Sequence, residues 1–287
     1  MSDKVFLDDG LVDIEKACIS VTDSGFLYGA GLFETMRSCG GVVFALKDHL
    51  DRLFFSAGAL SIDIGYDRQY ITDAIYRVLQ ANELTDARLR LTLTSGPMSE
   101  REEPRKPTLV ITAAKLQPYP AEYYTKGVMV VLCPFRQNRA DPVHGHKTIS
   151  YFSRMIALDQ AHRKRAAEAL WFTTDNRLAE GCISNVFLVR DSVLYTPPIA
   201  TPVLAGVARK AVCQLSLWNS IELVEKDLYI SNVLDADEIF LTNVIMQIMP
   251  IVKVEKHTVG DGKVGPVTGR LQKSFDELIK HECRKDT

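Results

Sequence analysis

Glu180-Gly-Cys-Ile-Ser-Asn185 runs on into Val186-Phe-Leu-Val189, an acid and a polar turn feeding a strand-like apolar run. Upstream lies His144-Gly-His-Lys147-Thr-Ile-Ser-Tyr151-Phe, a polar loop entering an amphipathic helical pattern that continues towards Arg163. A lysine can form an imine with a carbonyl, and a carboxylate can keep a heteroaromatic nitrogen protonated. Together, Lys147 and Glu180 are the groups with which a protein runs pyridoxal phosphate, whose ring takes up electrons from a carbanion beside that imine. Singly, each has an ordinary reading: a solvated loop lysine, and an acid facing water before a strand.

A dianionic phosphate calls for backbone N–H groups at a helix N-terminus, hydroxyls and an arginine. Pro202-Val-Leu204-Ala-Gly206-Val207-Ala-Arg209 runs into a helical pattern of Ala211, Val212, Leu215 and Trp218, and Gly206 lets the backbone approach an anion closely. Leu241-Thr242-Asn243 ends a buried-strand pattern with a hydroxyl and adjacent amides. Asp48-His-Leu-Asp-Arg52-Leu is a helical turn whose arginine can serve the same anion. Each segment also reads as a plain helix cap, strand end or surface ion pair.

The order Tyr28-Gly-Ala-Gly-Leu-Phe33-Glu-Thr35-Met-Arg37, His49-Leu-Asp-Arg52-Leu, Lys147, Glu180 to Asn185, Tyr195-Thr-Pro-Pro198, Leu204 to Arg209 and Thr242-Asn243 resembles the class IV aminotransferases. These are the fold-type IV pyridoxal phosphate enzymes, which include branched-chain and D-amino acid aminotransferases, (R)-amine transaminases and aminodeoxychorismate lyases. The resemblance extends from about Val5 to the helix start at Gly265-Pro-Val-Thr268. It implies a C-terminal pseudo-barrel, a cofactor held between two domains, and a homodimer in which a neighbour's loop closes the pocket.

Residue by residue, the resemblance implies that Lys147 bonds the cofactor and then moves the substrate α-proton, while Glu180 sits at the pyridine nitrogen. Arg52, the amides of Gly206 and Val207, Thr242 and the Asn243 amide would clamp the phosphate. Ser184 and Asn185 would orient their strand and contact the cofactor, with Leu204 under the ring. Tyr151 would donate to the phenolic oxygen, with Phe152 as the alternative aromatic. Many relatives carry threonine at the position of Ala208, so one hydroxyl contact to the phosphate is missing here.

Tyr28, Phe33, Thr35, Arg37 and Arg90 form the expected substrate side. Tyr28, Arg37 and Arg90 resemble the carboxylate-binding set of L-amino acid transaminases, whereas Thr35 and Asn243 resemble the lyases. Arg90 stands in the alternating run Arg88-Leu-Arg-Leu-Thr-Leu-Thr94 and reads equally as an outward-facing strand residue. Arg101, at the end of Gly96-Pro-Met-Ser-Glu-Arg101, either enters the pocket or faces water. The expected reaction moves an amino group between an α-amino acid, branched-chain or similar, and a 2-oxo acid. The alternative is a 4-amino-4-deoxychorismate lyase releasing pyruvate and 4-aminobenzoate.

Composition sets bounds on these readings. The 287 residues carry a net charge of -2, which offers nothing to nucleic acid or an anionic membrane. Six scattered cysteines (Cys18, Cys39, Cys133, Cys182, Cys213, Cys283), with no CxxC pair, suit reduced thiols in a cytoplasm. The first residues lack the apolar core of a signal peptide, and no apolar run is long enough to span a bilayer. His144 and His146 have no third ligand nearby in sequence, so no metal is expected. Gly29-Ala-Gly31 with Glu34 lacks the third glycine of a dinucleotide loop.

The two prolines of Leu116-Gln-Pro-Tyr-Pro-Ala121 mark a boundary. They separate an expected N-terminal domain over 1–116 from a linker over 117–123 and a cofactor-binding domain over 124–287. Periodicity predicts strands over 5–7, 42–45, 88–94 and 108–113 in the first domain, with helices over 47–60 and 68–81. In the second it predicts strands over 128–133, 169–174, 183–189, 221–224, 238–241 and 251–254. Helices are expected there over 150–163, 207–217 and 267–279. Strands following helices without strict alternation point to an α+β class.

Overall fold

The computed structural model of the chain describes residues 3–98 and 106–284, so Arg101 lies outside the described residues. The chain divides into two compact units. One runs from the N-terminus to Gln117 and takes in His146–Ser150 and the chain from Ile279; the other holds Pro118–Gly145 and Tyr151–Leu278.

The first unit is built on strands β1 (Lys4–Leu7), β2 (Gly10–Asp13), β3 (Gly31–Cys39), β4 (Val42–Val43), β5 (Ala87–Thr94) and β6 (Thr108–Lys115). They form one antiparallel sheet in the order β2-β1-β6-β5-β3-β4. Its helices are α1 (Ser24–Tyr28), α2 (Leu46–Ala59) and α3 (Arg68–Ala81). In β5, Leu89, Leu91 and Leu93 are fully buried and alternate with Arg88, Arg90 and Thr92, so one face of the sheet is apolar. Against it lie Leu50, Leu53 and Ala57 of α2 and Ile71, Ala74, Ile75 and Val78 of α3, at the spacing of single helix faces. The α3 helix starts where the Asp67 carboxylate accepts the Tyr70 N–H at 2.7 Å, a side-chain N-cap.

The nine-residue strand β3 is absent from the periodicity reading. Leu32, Glu34, Met36 and Ser38 point to its core side and Phe33, Thr35 and Arg37 to the other. An acid and a serine among the core-facing positions erase the apolar alternation that identifies a half-buried strand. Asp23 is another buried acid: it accepts the hydroxyls of Thr94 and Thr108, both at 2.8 Å, and the Gly25 N–H at 2.8 Å. One carboxylate thereby ties the start of α1 to the ends of β5 and β6.

The second unit contains α4 (Ala121–Lys126), β7 (Val128–Gln137), α5 (Phe152–Arg163), β8 (Glu168–Thr173), β9 (Asn185–Arg190) and β10 (Val193–Thr196). After these come α6 (Val207–Trp218), β11 (Leu223–Glu225), α7 (Ile230–Leu234), β12 (Glu238–Asn243), β13 (Gln247–Val254), β14 (His257–Thr258) and α8 (Pro266–Glu282), whose residues from Ile279 belong to the first unit. The sheet runs β11-β10-β9-β12-β13-β7-β8, with β14 beside β13. It is mixed: β10–β11, β13–β7 and β7–β8 pair parallel, the rest antiparallel.

Central β9 and β12 are covered on both faces, which explains their near-continuous apolar sequences. Val186, Leu188, Ile239 and Leu241 enter one core. The opposite face carries Asn185, Phe187, Phe240 and Thr242, with the two phenyl rings stacked 5.1 Å apart. Glu238 on that face accepts the Val267 and Thr268 amides at 3.0 and 2.7 Å and so caps α8. The predicted elements are present with shifted ends; β13, for example, begins at Gln247 rather than at 251. Among the described residues no helix is long and apolar enough to cross a membrane.

Asp23→Ala leaves two buried hydroxyls and an amide without their acceptor, so the variant is expected to lose about 2–4 kcal/mol of stability. A lowered urea midpoint measures this; an unchanged midpoint contradicts it.

Candidate active site

Lys147 sits with the first unit, in contrast to the 124–287 assignment read from sequence, because its short segment pairs with β3. Its carbonyl accepts the Phe33 N–H at 2.8 Å, the Ile149 N–H donates to the Gly31 carbonyl at 3.0 Å, and Thr148 bridges to Leu32. Backbone bonds on both sides therefore anchor the lysine. Its Nζ lies 4.4 Å from the centroid of the Phe33 ring, and the Arg90 guanidinium carbon lies 3.5 Å from the same centroid. The ring's negative face favours both cations.

Strand parity extends this cluster. Thr35 lies opposite Arg90, and Arg37 opposite Arg88, in the β3–β5 register, so Phe33, Thr35, Arg37 and Arg90 share one face. Arg37 Nε is buried with no hydrogen-bond partner. Tyr28 closes α1 and is 70% exposed, so the structure does not seat its ring against this face. His146, beside the lysine, takes a hydrogen bond with Ser56 Oγ at 3.0 Å and stacks on Phe55, and burial lowers its pKa.

Behind β3, on the core side, Arg52 donates through Nε to Glu34 Oε1 at 2.8 Å and through Nη2 to Oε2 at 2.5 Å. His49 Nδ1 lies 2.7 Å from the same Oε2. Burial works to raise the Glu34 pKa, but Arg52 and His49 outweigh it and bring the carboxyl down to about 2. The arginine read from sequence as a phosphate ligand is thus oriented by an acid. His49-x-x-Arg52 on one helix turn facing a lone acid in a strand was the available signal.

In the second unit, Glu180 is buried, and Leu204 N–H donates to its Oε2 at 3.0 Å. Arg154 of α5 donates to its Oε1 through Nη2, and through Nη1 to the Gly181 and Cys182 carbonyls at 3.0 and 3.3 Å. Asn185 Nδ2 donates to the Leu204 carbonyl at 2.9 Å. The turn over 180–185 and the segment leading to α6 are therefore stitched together twice, through Leu204.

Gly206 is the N-cap of α6, and a Cβ there would stand 2.0 Å from Asn185 Oδ1, so only glycine fits. Thr242 lies opposite Asn185 on the same sheet face, and its Oγ1 is buried without a partner. Asn243 spends its side chain elsewhere, donating to Ile183 O and accepting the Ile245 and Met246 amides in the β12–β13 turn. The Ser184 hydroxyl is buried without a hydrogen-bond partner.

The Tyr151 hydroxyl donates to the Cys182 carbonyl at 2.7 Å, and burial raises its pKa. Phe152, the alternative aromatic, is 78% exposed. Arg154 and Glu168 were missed altogether. Glu168 is fully buried, accepts the Ile183 N–H at 3.1 Å, and is pushed up by burial to about 7. Neither leaves a local signal, since each reads as the polar position of an ordinary helix or strand.

Residues 31–254 match the family of class IV amino-transferases. The chain belongs to this family. It is 33% identical over 279 residues to a putative branched-chain-amino-acid aminotransferase of Methanocaldococcus jannaschii, covering 96% of each chain. It is 27% identical to a D-alanine aminotransferase of Staphylococcus haemolyticus, covering 96% of this chain and 98% of that one. The structure superposes on the branched-chain amino acid aminotransferase of Escherichia coli with a TM-score of 0.92 and 27% identity, over 100% of this chain and 97% of that one. The class IV enzyme described here is a pyridoxal phosphate-dependent transaminase with the fold-type IV architecture.

The residues present fit that cofactor. A helix N-terminus that tolerates no Cβ, an unsatisfied buried Thr242 hydroxyl on the facing strand and a buried acid at Glu180 are the donors and the counter-charge that a phosphorylated pyridine requires. Among the described residues no group of three or more His, Cys, Asp or Glu is placed to hold a metal.

Two expectations follow from the buried acids. Glu34→Gln leaves Arg52 without its counter-charge and should cost about 3–5 kcal/mol, seen as a lower urea midpoint at neutral pH. For Glu168, the unfolded chain ionises near its ordinary 4.5 and the folded chain near 7, so the folded state binds the extra proton between these values. Its stability contribution is complete below about 4.5 and is lost as pH rises through about 7, by roughly 3 kcal/mol. Glu168→Gln should remove that decline, and a wild-type pH–stability curve matching the variant's would refute the assignment.

Proposed function

We propose that the enzyme moves an amino group between a branched-chain or similar aliphatic α-amino acid and a 2-oxo acid, with Lys147 as its catalytic residue. The observation that carries this reading is the cluster on the β3 face. Lys147 Nζ and Arg90 both lie on the Phe33 ring, and Arg37, further along the same strand face, has a buried Nε without a partner. A lysine that moves protons next to an apolar ring and an arginine pair suits a substrate with an aliphatic side chain and a carboxylate.

Bound pyridoxal phosphate supplies the carbonyl that takes the amino group and the ring that stores the electron pair left by the α-proton. In this reading Lys147 holds the coenzyme covalently, then accepts the α-proton at Nζ and returns it. The donor leaves as a 2-oxo acid, and a second 2-oxo acid takes the amino group. Glu180 would lie at the pyridine nitrogen as its acidic partner. The Gly206 and Val207 amides, the Thr242 hydroxyl, the Asn243 amide and Arg52 would hold the phosphate, and Leu204 would support the ring. Asn185 orients that set through Leu204, and Ser184 contributes its buried, unpartnered hydroxyl. Phe33, Thr35, Arg37 and Arg90 receive the substrate, with Tyr28 at the edge of the set.

The same reading takes the enzyme as a cytoplasmic homodimer. All six cysteines are free thiols, and Phe26, Tyr28, Phe55 and Phe152 are exposed apolar residues that a second copy would cover. The lyase alternative rests on the Thr35 hydroxyl, since the Asn243 side chain is spent on its turn.

Borohydride reduction of coenzyme-loaded enzyme followed by peptide mapping should label Lys147, and Lys147→Ala should lower kcat by at least about 10²-fold. In the absence of an acceptor, a branched-chain amino acid should convert the coenzyme's visible spectrum to its amine form. Pyruvate release from aminodeoxychorismate without that conversion would replace the transaminase with the lyase.

A further inference from the structure

Arg154 is the one guanidinium in the second unit directed at the acid assigned to the coenzyme, among the described contacts. It projects from α5, and its side chain is 16% exposed. Its donors meet three successive residues: the Glu180 carboxylate, the Gly181 carbonyl and the Cys182 carbonyl. Tyr151 and Trp171 flank it, with ring centroids 5.7 and 5.3 Å from the guanidinium carbon.

A carboxylate offers about four acceptor positions. Arg154 takes one on Oε1 and the Leu204 amide one on Oε2, so two donors on two different segments fix the plane of the group. Each oxygen keeps an acceptor position for a third donor. The guanidinium also supplies the counter-charge that a buried acid needs to stay ionised before any coenzyme arrives. Among the described contacts Arg154 is the one cationic partner of that carboxylate.

We propose that Arg154 is a positioning residue for the coenzyme: it holds Glu180 ionised and in the orientation that meets the pyridine nitrogen. This rests on the assignment of Glu180 to that nitrogen. Arg154 acts through Glu180 and touches neither substrate nor reacting atoms. Its effect therefore depends on Glu180 being an acid, which separates it from a residue that merely packs a loop.

The test compares wild type with Arg154→Met, Arg154→Lys, Glu180→Gln and the double variant Arg154→Met/Glu180→Gln. Two quantities are read: the dissociation constant for pyridoxal phosphate by equilibrium dialysis, and the visible spectrum of the bound coenzyme. Arg154→Met should weaken affinity about tenfold or more and alter the spectrum, and Arg154→Lys should recover both to within about threefold of wild type. The double variant should match Glu180→Gln, because removing both charges leaves no uncompensated acid. If Arg154→Met does not fold, the comparison of the double variant with Glu180→Gln carries the test. Losses that multiply in the double variant, or an Arg154→Met enzyme with wild-type affinity and spectrum, overturn the proposal. If wild-type enzyme shows no coenzyme on Lys147 after borohydride reduction, the site assignment itself falls.

Discussion

A carboxylate taken out of water persists as an anion only where donors are aimed at it, and Glu180 is such a group. Its donors are a guanidinium from α5 and an amide just before α6. Those two bonds decide where three elements of the second unit begin. The turn over 180–185 is drawn to α5, and Leu204 is drawn to the turn. Asn185 then closes on the Leu204 carbonyl, which brings Gly206 so near that no side chain fits there. The bare helix N-terminus and the unsatisfied Thr242 hydroxyl follow from this packing.

The first unit solves the same problem with Glu34. Arg52 and His49 surround that acid on the core side of β3, while the other side of the same strand presents Phe33, Thr35 and Arg37. The strand is a partition with a buried ion pair behind it and a cluster of cations on an aromatic ring in front. Because Lys147 is bonded through its backbone to β3, the ion pair behind the strand also steadies the lysine before it. With its backbone anchored in this way, the long side chain of Lys147 is the soft link of the segment.

Chemical type carried the reading of the motifs. Lys147, Glu180, Gly206 and Thr242 stand out in sequence because a phosphorylated carbonyl cofactor needs an amine, an acid, a bare helix start and a hydroxyl. Periodicity carried β5 and α3, whose apolar residues recur at the strand and helix intervals. Both signals failed where polar groups are buried for the sake of other polar groups. Glu34 and Ser38 broke the pattern of β3. Arg154 reads as a solvent-facing position on α5, a helix expected to be amphipathic that buries only Ala157 and Ala161. Tyr151, read by position as a donor to a cofactor oxygen, also donates to the Cys182 carbonyl, a bond that no local pattern announces.

The amino-acid sequence by itself determined the inventory of reactive groups, the order of the motifs and the periodic elements, because these depend on side-chain chemistry and on contacts a few residues apart. Tertiary structure alone decided which acid is paired, where the Arg52 and Arg154 guanidinium groups are spent, and that Lys147 belongs beside β3. Those outcomes rest on hydrogen bonds between residues far apart in the chain, whose partners are selected only when burial leaves each charged group one place to be satisfied.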